Sequence, residues 1–323
     1  MYSLMRKAKT RLLARGGKLN QLQKEMDMES SKEINTAEIK TVCLALGPYR
    51  NLTTLTAGML FLHPNCQVLN HAGVRIFGDN KLDFLIDYSD EKFESFLQYG
   101  IYNSQTGRPG GYGGSITYSH AFEGGNKLRD IFESGGGDSV KKNVKCFFWK
   151  ESLMTSFHIR DNSVDLDKLF AANKRIRFLI PVRNPMNCAI SNHRMSYIDP
   201  DRKKRKNGTL FKGVGKNPSV DRVLGAVLDE FLWIADLKKR YPRRFFIFFE
   251  HEFGKEIITE LADFLKLKPY ASWVENCLDA FDIKPGYKLT QKLRTEYRNY
   301  IETNFANHQK FADKLLHFYY SSE

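Results

Sequence analysis

The sequence predicts an α/β protein, a three-layer fold with a central parallel β-sheet flanked by helices. Five short runs are almost continuously apolar, as strands covered on both faces must be. Longer stretches between them repeat apolar residues at helical spacing, so strand and helix alternate and right-handed crossovers follow. At 323 residues, 42% hydrophobic and 27% charged, the chain can bury one large core. No apolar run approaches the roughly 18 residues of a membrane-spanning helix.

The predicted strands are Lys40–Gly47 (KTVCLALG), Cys66–Asn70, Val144–Trp149 (VKCFFW), Arg177–Val182 (RFLIPV) and Phe245–Phe249 (FFIFF). Thr53–Leu62, Pro185–Tyr197, Val220–Tyr241 and Phe253–Leu265 carry helical spacing, and Leu289–Tyr320 reads as a closing amphipathic helix. Residues 100–143 break the rhythm. Gly110-Gly111-Tyr112-Gly113-Gly114 and Gly135-Gly136-Gly137 mark a long insertion over one sheet edge, either a functional lid or a flexible spacer. The expected organisation is a basic arm over residues 1–36 and one domain over 37–323.

The net charge of +13 raises nucleic acid as a partner until it is located. Residues 1–24 hold seven Lys and Arg and no acid, and Arg202-Lys203-Lys204-Arg205-Lys206 holds five more, so the rest of the chain is nearly neutral. A nucleic-acid surface spreads its charge over a docking face; here the basicity belongs to an arm and a loop, and no nucleic-acid partner is expected. The arm reads either as a membrane-surface or organelle-targeting helix or as a helix that packs on the domain or frays in solvent. The basic loop reads either as a closure over an anion or as a solvated loop. Five widely spaced cysteines without a CxxC pair argue against a disulfide scaffold or zinc ribbon and for a reducing, cytoplasmic setting. No His/Cys/Asp cluster has metal-ligand spacing.

The first strand ends in Gly47-Pro48-Tyr49-Arg50-Asn51-Leu52-Thr53-Thr54 and runs straight into a helix. Against the GxxxxGK[ST] pattern Gly47 and Thr54 fit, but Leu52 replaces glycine and Thr53 replaces lysine. Backbone N–H groups and a helix N-terminus remain to bind an anion. The lysine that bridges the phosphates of a nucleoside triphosphate is missing, which disfavours a kinase. Further on, Phe178–Val182 delivers Arg183-Asn184-Pro185 at its carboxyl end, and the next helix carries Ser191 eight residues after Arg183. In open α/β sheets ligands sit beyond the carboxyl ends of strands, where an arginine and a serine can meet one phosphate.

These two motifs resemble the sulfotransferase family, which uses 3′-phosphoadenosine 5′-phosphosulfate (PAPS). Tyr49–Thr54 matches the family's PxRSGTT-like 5′-phosphosulfate loop, and Arg183-Asn184-Pro185 with Ser191 matches its RDPxxxxxS-like 3′-phosphate motif. Phe248-Phe249-Glu250, followed by Phe264-Leu265, resembles its YE and FL pair, and Lys150-Glu151-Ser152 stands at its KxP segment. The four come in family order and span residues 40–267. Leu52 for glycine, Asn184 for aspartate and Ser152 for proline mark a divergent branch.

The resemblance implies a P-loop NTPase-like sulfotransferase fold and sulfuryl transfer from PAPS, releasing adenosine 3′,5′-bisphosphate. It implies that Arg50, Asn51, Leu52, Thr53 and Thr54 bind the phosphosulfate, and Arg183 and Ser191 the 3′-phosphate. Lys150 would neutralise the bridging oxygen, as in the similar tyrosylprotein branch. The base is expected to be His71, which follows Cys66–Asn70 after His63-Pro64, with Glu151 in reserve; imidazole titrates near operating pH. His63, His120, His158, His193 and His251 read as structural, and Glu250 as a carboxylate that ties a loop or helix end. The acceptor is a hydroxyl or amine on a carbohydrate, lipid, peptide or small metabolite. The rival readings are a degenerate nucleotide- or partner-binding scaffold and a P-loop kinase.

Overall fold

The computed structural model describes residues 20–108, 112–198, 218–283 and 286–321. The first 19 residues of the basic arm, residues 109–111 of the glycine-rich stretch and the Arg202–Lys206 run lie outside the described residues. Six strands form one sheet: β1 (Thr41–Ala45), β2 (Cys66–Asn70), β3 (Gly114–Ser115), β4 (Cys146–Lys150), β5 (Ile176–Val182) and β6 (Phe245–Phe249). The helices are α1 (20–31), α2 (Thr53–Phe61), α3 (Gly73–Ile76), α4 (Asp90–Thr106), α5 (Lys127–Ser134), α6 (Leu153–Asp161) and α7 (Leu166–Ala172). They continue with α8 (Pro185–Ile198), α9 (Val220–Arg240), α10 (Lys255–Phe264), α11 (Ala271–Ala280), α12 (Gln291–Asn304) and α13 (Gln309–Tyr320).

The strand order is β3-β2-β4-β1-β5-β6, parallel throughout except for β3, which pairs antiparallel with β2. The apolar runs are explained by layers on both faces. Along β1, Val42 and Leu44 point into a core shared with α4, α6 to α9, α12 and α13, while Cys43 and Ala45 point into one shared with α2, α10 and α11. The expected α/β three-layer architecture is what the chain adopts.

Two details differ from the sequence expectation, and a third chooses between the two readings of the arm for its residues 20–31. The glycine-rich insertion begins later than residue 100, because α4 continues to Thr106, and it adds the two-residue antiparallel strand β3 to the sheet edge. The closing segment is two helices, not one. It breaks at the fully buried Phe305, so that Leu293, Tyr297 and Ile301 of α12 and Leu315 and Phe318 of α13 share one core, and Tyr297 Oη donates to Leu315 O at 2.6 Å. Finally, α1 is packed on the domain. Lys24 is buried, donates to Arg75 O at 2.9 Å and pairs with Asp79, while Asp27 accepts from Tyr112 Oη. No described helix is long and apolar enough to cross a membrane.

Candidate functional site

The strand order reverses direction at β1, which lies between β4 on one side and β5 on the other. Loops leaving the carboxyl ends of two such neighbours part and open a crevice, the usual ligand site of open α/β sheets. The residues that follow β1, β2, β4 and β5 gather there. Five of the eight non-glycine residues with positive φ among the described residues sit at these ends: Arg50, Leu52, His71, Ala72 and Ser152. Left-handed backbone in such residues persists only where surrounding contacts hold it, and it concentrates at ligand sites.

The β1–α2 loop is held from three directions. Gly47 N–H donates to Ser156 Oγ of α6 at 3.2 Å. Tyr49 O accepts from Asn192 Nδ2 of α8 at 2.7 Å. Asn51, wholly buried, donates to Pro181 O and accepts from Arg183 N–H at 2.8 Å, so the two motifs share a backbone bridge. A side-chain bridge joins them as well: Arg50 Nε donates to Ser191 Oγ at 3.0 Å. Leu52, with φ 59° and ψ 3°, is the N-cap of α2 and offers no side-chain cap. The first helical bond is Thr56 N–H to Leu52 O, so the N–H groups of Thr53 and Thr54 have no helical partner. Those donors and the positive end of the helix dipole face the crevice from α2.

The helix after β5 begins differently. Asn184 Oδ1 accepts from Met186 N–H at 3.0 Å and Asn187 N–H at 3.3 Å, which caps α8 and gives Asn184 a structural duty. Arg183 Nε is buried and has no hydrogen-bond partner among the described residues. Burial raises the Glu250 carboxyl above the ordinary carboxylate range, opposed by a bond from Asn184 N–H and by the charge of Arg183. Glu250 therefore lies beside the β5–α8 loop.

Lys150 ends β4 and is only 7% exposed. Burial lowers its pKa from the ordinary lysine value, Glu151 opposes the shift and Arg50 adds to it. Its ammonium makes no hydrogen bond or ion pair among the described residues. Glu151 is buried, and its Oε2 accepts from Gly73 N–H at 2.9 Å while Oε1 stands 3.8 Å from His71 Nδ1. His71 is held by its backbone: His71 N–H donates to Lys150 O at 3.1 Å and His71 O accepts from Trp149 Nε1 at 2.6 Å. Its ring is partly open to solvent. Ser152 has φ 62° and ψ −119°, a conformation closed to proline, so the chain beyond Lys150 follows a different path from a KxP segment.

The structure therefore gathers Arg50, Asn51, Leu52, Thr53, Thr54, Arg183, Ser191, Lys150, Glu151 and His71 at one end of the sheet. Ser191 is bonded to Arg50, and Arg194 lies over the Tyr287 ring at 4.2 Å. Of the histidines read as structural, His63 is bonded to Lys268 O and Asn65 N–H, and His158 pairs with Asp83 at 2.8 Å and stacks on Phe77. His251 stacks on His317 at 4.0 Å. His120 is different. Burial lowers its pKa, and the charges of Arg50 and Lys150 lower it further, which puts it within electrostatic reach of the site. Ser156 also escaped the sequence reading, since a serine in a helix carries no motif. Among the described residues no group of His, Cys, Asp and Glu could hold a metal ion.

No family model and no curated protein matches the chain. Among solved structures it is similar to sulfotransferase STF9 from Mycobacterium avium, with 11% identity over 86% of this chain and 79% of that one, at a TM-score of 0.40. At that distance the likeness carries no argument about activity or site residues.

Proposed function

We propose that this protein is a sulfotransferase that moves the sulfuryl group of PAPS to a hydroxyl or amine acceptor and releases adenosine 3′,5′-bisphosphate. The observation that supports this reading best is the 3.0 Å bond from Arg50 Nε to Ser191 Oγ. It brings a phosphate-type loop lacking the triphosphate lysine together with a strand-end arginine–serine motif, which suits a nucleotide phosphorylated at two separate positions.

The chain's own residues fit such a ligand. Arg183 Nε, buried with no hydrogen-bond partner among the described residues, and the buried ammonium of Lys150 are cations suited to an anionic ligand. Arg50 and the N–H groups of Thr53 and Thr54 would hold the 5′ end, and Arg183 and Ser191 the 3′-phosphate. The bound nucleotide supplies the S–O bond that breaks as the acceptor oxygen or nitrogen forms a new one. Lys150 would balance charge on the departing oxygen. His71 would take the acceptor proton on Nε2, and the Glu151 carboxylate, 3.8 Å from Nδ1, would favour the charge the ring then gains. The acceptor stands open among carbohydrate, lipid, peptide and small metabolite. Binding without transfer is the second reading, and the non-proline backbone at Ser152 is the observation that favours it.

The test is calorimetric titration with adenosine 3′,5′-bisphosphate, on the wild type and on Arg183→Ala. Tight binding lost in the variant, followed by labelled transfer from PAPS in an acceptor screen, is the expected result. A folded wild type that binds nothing would sink the reading, and binding without transfer would select the second.

A further inference from the structure

The outer side of the His71 turn is gripped by a set of charges that the proposed reaction does not use. His71 and Ala72 both have positive φ, 67° and 82°. Two neighbouring left-handed residues persist only where contacts hold them. From inside, Trp149 Nε1 bonds His71 O and Glu151 bonds Gly73 N–H. From outside, the turn has two supports. One is α3, whose Arg75 and Ile76 N–H groups donate to Ala72 O at 2.9 and 3.1 Å. The other is Gly113 of the insertion, which packs too closely on Ala72 to carry a Cβ.

Helix α1 fastens both supports. On α3, Lys24 Nζ donates to Arg75 O at 2.9 Å and pairs with Asp79, and Arg75 Nη2 donates to Asn20 O at 3.3 Å. On the insertion side, Tyr112 Oη donates to Asp27, and Arg108 Nη2 donates to Gln23 Oε1 at 3.2 Å. Arg75 joins the two. Its guanidinium lies 3.6 Å from the centre of the Tyr112 ring, and its Nη1 forms an ion pair with Asp27 Oδ2 at 3.9 Å. Lys24 and Asp27 are only 7% and 6% exposed. Burying such charges costs solvation that apolar residues of similar size would not, so stability alone does not account for them.

We propose that Lys24 and Asp27 are positioning residues: acting through Arg75 and Tyr112, they clasp α3 to the insertion and so hold the His71–Ala72 turn in its left-handed form. The consequence for transfer rests on the proposed function; the clasp itself does not. Charged groups suit this task because an ion pair with a ring stacked on it fixes the angle between segments, whereas apolar contacts let them slide. The last part of the basic arm thereby becomes a working part of the domain, since the proposed base sits on the turn that it braces.

The experiment compares Asp27→Asn, Tyr112→Phe and the double variant in the full-length chain. It reads the His71 ring and Gly73 amide resonances, transfer kinetics and adenosine 3′,5′-bisphosphate affinity. In each variant both resonances should shift and kcat should fall about tenfold or more, while nucleotide affinity keeps its wild-type value. The double variant should lose no more than the larger single loss, because both changes break one contact. Asp27→Glu, which keeps the charge, should recover part of kcat. Unmoved resonances in folded Asp27→Asn, fully additive losses, or nucleotide affinity falling in step with transfer would overturn the proposal. If Asp27→Asn does not fold, Tyr112→Phe decides, since it removes only a hydroxyl: resonances that stay in place overturn the clasp. A wild type that transfers nothing, but whose His71 and Gly73 resonances respond to these variants, would support the clasp and defeat the proposed function.

Discussion

The imidazole Nδ1 of His71 stands 3.8 Å from Glu151 Oε1, while Glu151 Oε2 accepts the N–H of Gly73 at 2.9 Å. The carboxylate is therefore committed to the start of α3 and buried, and the ring keeps its Nε2 for a substrate. In the proposed reaction the imidazole moves the proton and the nearby carboxylate favours the charge it gains. His71→Ala should lower sulfuryl transfer by about 10²- to 10⁴-fold while leaving adenosine 3′,5′-bisphosphate affinity nearly unchanged. Glu151→Gln keeps an acceptor for Gly73 N–H and should lose only about tenfold. Single-turnover transfer beside calorimetry separates the two effects. Wild-type transfer by His71→Ala would remove it as the base and bring His120 forward.

Gly113 and Ala72 form the contact that supports this turn from outside. Gly113 has φ +100°, and a Cβ there would lie 2.3 Å from Ala72 Cβ. Gly113→Ala must displace either the β3 edge or the His71–Ala72 turn, and should destabilise the fold by about 2 kcal/mol or more. Transfer should fall further than nucleotide affinity, because the loops proposed to bind the phosphates lie elsewhere. Gly125→Ala is the control: φ is +83°, nothing lies within 4 Å of its Cβ, and only backbone strain of about 1 kcal/mol is expected. Thermal unfolding of both variants checks the contrast.

How much of this was legible in the sequence varied with its physical origin. β6 covers the five residues its apolar run marks, because an unbroken apolar run has no polar positions to blur its ends. Arg50, Arg183 and Ser191 were found by motif, and the place where they meet follows from the sheet's reversal. What was not legible is tertiary. β3 is a Gly-Ser pair with no pattern of its own, made a strand only by Leu69 and Asn70. The split at Phe305 arises because two helices fold back on one core, which a continuous amphipathic stretch does not announce. The relation of His120 to Arg50 and Lys150 depends on where the insertion lands.

Leu52 occupies a position whose backbone favours glycine, with φ 59° at the N-cap of α2. A left-handed leucine carries roughly 1–2 kcal/mol of strain, and glycine would relieve it while giving up some chain entropy and packing. Leu52→Gly should therefore leave stability within about 1 kcal/mol of the wild type. Leu52→Val should destabilise by at least that amount, since a β-branched residue tolerates positive φ worst. Urea unfolding distinguishes the pair. A wild-type midpoint for Leu52→Val would mean that the loop relaxes out of the left-handed turn.

Lys150 sets stability against function. Its ammonium is buried at the end of β4, and burial holds its pKa below the ordinary 10.5. The folded state therefore releases this proton at a lower pH than the unfolded chain. Between the folded pKa and 10.5 the unfolded state binds more protons, so stability rises with pH across that window. Below it the ammonium is charged and carries its burial cost, offset in part by Glu151. Lys150→Met removes that charge at similar length and should stabilise the fold by on the order of 1 kcal/mol at pH 7. The advantage should shrink as the pH rises through the lowered pKa of wild-type Lys150 and the ammonium becomes neutral. Under the proposed function the same variant should lose most transfer activity, because no cation at the end of β4 would then balance the leaving oxygen. Urea titrations at pH 7 and pH 9.5, with transfer measured at pH 7, test both halves. A variant less stable at pH 7, or equally stabilised at both pH values, would show that Lys150 already has its counter-charge within the fold and is not held ready for a ligand.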